Sequence, residues 1–145
     1  MGRRKLRIEF ENLKYNRHSY YKLRYHLVLV TKYRKKCINK SIANDLKDIF
    51  SNIIQINEGE LINYISGDDY THLSFEVSPI IELPKLVNSL KSASSKAIRK
   101  KYKEFLENFY EENYFWSMNY CILTPIEDLN KIIENYLTSD IGLKD

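Results

Sequence analysis

The chain of 145 residues and 17.3 kDa is long enough for one compact domain, and a hydrophobic share of 43% with 29% charged residues excludes wholesale disorder. No apolar run nears the ~18 residues that span a bilayer, the Met-Gly-Arg-Arg start lacks a leader's apolar segment, and two cysteines cannot build a disulfide framework; a reducing cytoplasm with no membrane is the expected setting. The net charge of +4 conceals blocks of +10 over residues 1–36, −5 over 37–81, +6 over 82–103 and −7 over 104–145, so a polyanion-binding face opposite a solvated acidic face competes with ordinary surface charge.

Residues 1–17 read as a basic arm, followed by a single domain over 18–145. Tyr25-His26-Leu27-Val28-Leu29-Val30-Thr31 is aromatic and β-branched, as a first strand should be, with Lys32 to Lys36 as its basic exit. A helix begins near Ser41, capped by Asn39 or Ser41, with Ile42, Leu46, Ile49, Ile53 and Ile56 on one stripe. Gly59 ends it. Leu61 to Ile65 and Thr71 to Val77 read as two strands around a Gly67-Asp68-Asp69 turn. In the second of these, Thr71, Leu73, Phe75 and Val77 take one face and Tyr70, His72, Ser74 and Glu76 the other, because side chains alternate with period two. Pro84 suits the first turn of a helix over 82–103 with Leu83, Leu86, Val87, Leu90, Ala93, Ala97 and Ile98 as its stripe. Phe115 to Leu123 forms a fourth strand, and Asp128 to about Thr138 a last helix carrying Leu129, Ile132, Ile133 and Tyr136. The order βαββαβ plus a helix predicts an α+β fold of the ferredoxin-like, split βαβ kind: an antiparallel sheet with helices on one face and the other face free.

Three constellations could carry chemistry. The polar strand face around His72 offers an imidazole and carboxylates to a divalent metal, although a lone histidine is more often an ordinary surface or core residue; His18 and His26 say less. Tyr136 and Asp140 stand four apart on a helix and share a face, and a tyrosine can attack phosphorus beside a metal, although twelve tyrosines make packing the default. The helix over 82–103 sets seven cations among Ser89, Ser92, Ser94 and Ser95, which suits a phosphate backbone as well as solvent.

These pieces come in an order that resembles the small single-tyrosine transposases of the 200/605 insertion-sequence family, members of the HUH nuclease superfamily. The likeness covers about residues 18–140. It is carried by Tyr25-His26-Leu27-Val28 with Thr31-Lys32-Tyr33-Arg34-Lys35, by Asp69-Tyr70-Thr71-His72-Leu73, by Leu86 to Ser95 with Arg99-Lys100, and by Phe115-Trp116-Ser117 with Tyr120-Cys121-Ile122-Leu123-Thr124.

The resemblance implies a homodimer that recognises hairpins in single-stranded DNA at insertion-sequence ends. It implies cleavage and strand transfer through a 5′-phosphotyrosine, with Mg²⁺ or Mn²⁺ as cofactor. Carried over by position, the nucleophile falls on Tyr136 and the metal ligands on His72 and Asp140, while the first histidine of the motif is replaced by Tyr70. A neutral phenol is a poor ligand for Mg²⁺. DNA contacts are expected from Lys32, Arg34, Lys35, Lys91, Lys96, Arg99 and Lys100. A second register, matching Ile133-Glu134-Asn135 to the family's Ile-Glu-Asn, puts Ile132 at the nucleophile and would abolish the chemistry. Three functions therefore stand: an active transposase; a catalytically impaired or inactive derivative that still binds hairpin DNA as a regulatory dimer; and a dimeric module without DNA, which the charge segregation disfavours.

Overall fold

The computed structural model describes residues 13–16 and 18–145. Most of the expected basic arm, residues 1–12 and 17, lies outside them. Lys14–Tyr15 (β1) pairs with Tyr20–Tyr21 (β2) in a short hairpin, and Lys14 docks it to the body through ion pairs of 3.3 Å with Glu60 and 3.4 Å with Glu76. The domain proper then runs Leu23–Thr31 (β3), Lys40–Ile56 (α1), Glu60–Ser66 (β4), Tyr70–Val77 (β5), Leu83–Lys101 (α2), Lys103–Leu106 (α3), Trp116–Leu123 (β6) and Leu129–Thr138 (α4). Four strands form one antiparallel sheet in the order β4-β5-β3-β6. The crossover through α1 thus skips over β5, and the crossover through α2 skips over β3. This puts β3 and β5, the two most apolar strands, at the centre.

One sheet face is the core. Leu27 and Leu29 of β3 and Leu73, Phe75 and Val77 of β5 pack against Ile42, Leu46, Phe50 and Ile54 of α1 and Leu86, Val87, Leu90 and Ile98 of α2, all buried. Each such side chain contributes about 1.5–3 kcal/mol by leaving water. Asn39 caps α1, its Oδ1 accepting from the Ile42 amide at 2.8 Å. The strand parity expected for β5 holds, the stripe of α1 is rotated from expectation, and that of α2 holds except at its two alanines. Ile56 is 72% exposed, and Phe50 and Ile54 are buried in its stead, because the Phe50 ring lies against Tyr64 and Trp116 and sets the phase of the helix. In α2, Ala93 and Ala97 face solvent and Ser94 is buried. Its hydroxyl donates to the Leu90 carbonyl and accepts from Trp116 Nε1 at 2.9 Å, so no polar atom is stranded. The long helix ends at Lys101, with the Tyr102 backbone breaking it before α3.

The opposite face is built differently. Val28 and Val30 alternate away from the core yet are fully buried, since α4 and the chain after it cover this side; Gly142 lies so close to Val30 that a Cβ there would stand 3.0 Å from its Cγ2. Gly142 also has a φ of +83°, which favours glycine.

Candidate active site on the second sheet face

Period two puts Arg24, His26, Val28 and Val30 of β3 on the face that β5 lines with Tyr70, His72, Ser74 and Glu76. In the register, His26 lies opposite Ser74 and His72 opposite Val28, so the two histidines are diagonal neighbours. Their rings meet, with His26 Nδ1 3.0 Å from His72 Nε2 and the planes tilted by 46°. Burial lowers the pKa of both imidazoles; the Arg24 guanidinium adds to this at His26, and His26 adds to it at His72. At neutral pH, then, the pair is uncharged, one ring nitrogen donating to the other. Along the face, Glu76 is engaged elsewhere, accepting from Arg24 at 2.9 Å and pairing with Lys14.

Tyr136 is on the last full turn of α4, which packs on β6. Its hydroxyl is buried without a hydrogen-bond partner. Burial pushes this phenol up to about 12; the Cys121 thiol adds to that and the Arg34 guanidinium opposes it. Cys121 pairs with Val28, which pairs with His72, so two strand spacings, about 10 Å of sheet, separate the Cys121 and His72 backbones.

Arg34 holds α4 in place. After β3 the chain turns through Tyr33 and Arg34, both left-handed with φ of 58° and 54°, at a cost of order 1 kcal/mol each. The turn is secured by Lys32 N–H donating to the Phe115 carbonyl at 2.8 Å and Tyr33 N–H donating to that of Gly142 at 2.9 Å. The turn aims the Arg34 guanidinium back at the end of α4. There it donates to the carbonyls of Leu137 (2.9 Å), Ile141 (3.3 Å) and Ser139 (3.5 Å), and its Nε donates to Asp69 at 3.2 Å. The last carbonyls of α4 thus meet a cation, as its dipole favours.

The remaining expected site residues are distributed as follows. The Tyr70 ring folds back over Gly67, where a Cβ would stand 2.2 Å from its Cε1. Asp140 is exposed in the segment after α4. Among the described residues no three His, Cys, Asp or Glu side chains gather where a metal ion could be shared, so neither Asp140 nor Glu76 joins the two histidines. The donor set that fits a divalent cation is the pair of neutral imidazoles. Of the expected DNA contacts, Lys35, Lys96 and Lys100 are exposed. Lys32 lies over the Tyr114 ring at 4.4 Å, and Arg99 donates to Ser95 Oγ at 3.1 Å. Lys91 donates to the Ser117 carbonyl at 2.7 Å, and burial lowers its pKa. Lys32 and Lys91 line a surface groove of ≈ 380 Å³ together with Asn88, Ser92, Ser95 and Trp116. Arg34 alone among the seven has its guanidinium committed inward.

Two features escaped the sequence. His26 was visible only as a polar residue out of phase with the core positions Leu27 and Leu29, and pairing it with His72 requires the β3–β5 register. The role of Arg34 depends on two left-handed residues that carry no glycine signal.

Comparison with known proteins gives the family. The ISDra2 transposase TnpA of Deinococcus radiodurans is 33% identical over 127 residues, covering 88% of this chain and 90% of that protein. A crystal structure of a candidate transposase from D. radiodurans R1 superposes with a TM-score of 0.79 at 32% identity, covering 86% of this chain and 95% of that one. A REP-associated tyrosine transposase bound to a REP hairpin aligns over 84% of this chain and 67% of that one, at 10% identity and a TM-score of 0.49, too distant to carry an argument. The transposase IS200-like family profile matches residues 19–140, and the chain belongs to that family.

Proposed function

We propose that the chain cuts and rejoins single-stranded DNA bearing hairpins at insertion-sequence ends, with Tyr136 as the nucleophile. The observation that carries this reading is the Tyr136 hydroxyl, buried and unpartnered, on a helix laid over the sheet face that holds the histidine pair. A buried hydroxyl without a partner costs about 1–3 kcal/mol in stability. Tyr64 bears the same cost against the core, so what singles out Tyr136 is its place over the histidine face. In the reaction Tyr136 Oη forms a bond to phosphorus and the 3′-oxygen leaves as a hydroxyl, so the DNA stays joined through its 5′ phosphate. The phenol, held near 12, is protonated at neutral pH and gives up its proton during attack. A bound Mg²⁺ or Mn²⁺ would neutralise phosphate charge, and His72 would help to hold it. Exposed Lys35, Lys96 and Lys100 and the groove beside Lys32 and Lys91 supply the cationic path for the strand. A homodimer is part of the same reading, by analogy with the family.

One observation favours a second reading. The Tyr70 ring is packed on Gly67 at the position where the resemblance implies a metal-binding histidine, which suits an impaired derivative that binds hairpins without cutting. The test is a denaturing gel with single-stranded DNA from the flanks of the gene's own locus and Mg²⁺ or Mn²⁺. The active reading expects a covalent adduct in the native chain and none with Tyr136→Phe, whose folding stability is unchanged or slightly higher. Binding without adduct would establish the impaired derivative instead.

A further inference from the structure

We propose that His26 supplies the imidazole that the Tyr70 position lacks, so that a divalent cation binds between His26 on β3 and His72 on β5. This rests on the metal-assisted chemistry proposed above. It names the ligand set of that site.

Two nitrogen ligands about 2.1 Å from a metal, on adjacent positions at right angles, stand about 3.0 Å apart. The His26 Nδ1 to His72 Nε2 distance is 3.0 Å, so the hydrogen-bonded pair has the spacing of two adjacent ligands, and the rings have only to turn from facing each other to converging on a shared cation. Loading the site requires no net loss of protons. The neutral ring that donates moves its proton to its other nitrogen, leaving a lone pair on both facing atoms. The backbones that carry the two rings are fixed in register, for both residues sit mid-strand in the two central strands, cross-paired from Leu23 to Val30. Tyr70, two residues before His72, cannot compete while its ring covers Gly67, and Glu76 is held by Arg24 and Lys14. With no third protein ligand gathered there, the remaining positions fall to water and to a phosphate oxygen of the DNA. Two imidazoles without a carboxylate also make the site softer than one built for Mg²⁺, and Mn²⁺ should bind it better.

The experiment titrates the full-length chain with Mn²⁺ and follows free ion by electron paramagnetic resonance, with pulsed spectra to count bound imidazole nitrogens. The native chain is expected to bind one Mn²⁺ with two imidazole couplings. His26→Gln should bind 10–100-fold more weakly and keep one coupling, while Tyr70→Phe binds as the native chain does. Circular dichroism checks that His26→Gln folds; the nitrogen count in the native chain tests the proposal without any variant. A single imidazole in the native spectrum, native-like binding by His26→Gln, loss of binding in Tyr70→Phe, or no binding at millimolar Mn²⁺ would each overturn it. The DNA adduct assay separates this from the broader reading: an adduct that survives His26→Gln with unchanged Mn²⁺ dependence refutes the His26 site alone. Two-imidazole binding without any adduct refutes only the cleavage reading.

Discussion

The two faces of the central sheet bury their residues to different ends. On the helix-packed face, Leu27, Leu29, Leu73 and Phe75 are fully buried among aliphatic and aromatic partners; Ser94 Oγ there is hydrogen-bonded, while Thr71 Oγ1 and the Tyr64 hydroxyl are buried without a partner. On the other face, Val28 and Val30 are as deeply buried, yet they are flanked by two histidines in mutual contact and a tyrosine hydroxyl with no partner. The first face is arranged for stability. The second brings two imidazoles and a phenol together in a partly desolvated place, so the two faces differ in titratable side chains and not in unpaired hydroxyls, which both contain.

Substitutions on each face test this contrast. Leu73→Ala, in the middle of the first face, should cost about 3 kcal/mol or more, read as a lower denaturant midpoint with the whole chain unfolding together. A loss under about 1 kcal/mol would mean that this face is not the cooperative core. Arg34→Ala acts on the second face only. It removes charge-assisted bonds to three carbonyls at the end of α4 and to Asp69, so α4 amides should exchange faster by the equivalent of about 2 kcal/mol while β3 and β5 amides keep their protection. Uniform loss of protection would show instead that α4 and the sheet open as one unit. The smallest effect belongs to Glu76. Burial alone would raise its carboxyl, but hydrogen bonds and charge from Arg24 and Lys14 overcome this and hold it below its ordinary 4.5. A carboxyl depressed on folding stabilises the protein above its unfolded pKa, and that stability is lost as pH falls through the folded value. Thermal scans from pH 6 down to pH 3 should therefore show a shallower decline for Glu76→Gln than for the native chain, by under about 1 kcal/mol, and parallel curves would remove Glu76 from the acid response.

Much of this was legible beforehand, for reasons that lie in local chemistry. Period-two alternation in Thr71 to Val77 assigns His72 to the face away from the core without any knowledge of neighbours, and the spacing of Leu86, Val87, Leu90 and Ile98 demands a helix there. The helix phase was less secure. Alanines are small enough to sit on either side of a stripe, so Ala93 and Ala97 gave no reliable vote, and the burial of Ser94 depends on Trp116 reaching it from another strand.

The element order, the buried face of β5, the alternating charge blocks and the resemblance that implies a nucleophile at Tyr136 can all be read along the chain. These follow from repeats a few residues long or from motifs contiguous in the chain. That His26 touches His72, that the Tyr70 ring turns away onto Gly67, and that Arg34 closes on the end of α4 depend on how the strands and turns come together in space. Those contacts span tens of residues and hang on strand register and on one turn with two left-handed residues, where a shift of a single position would send each side chain to the opposite face.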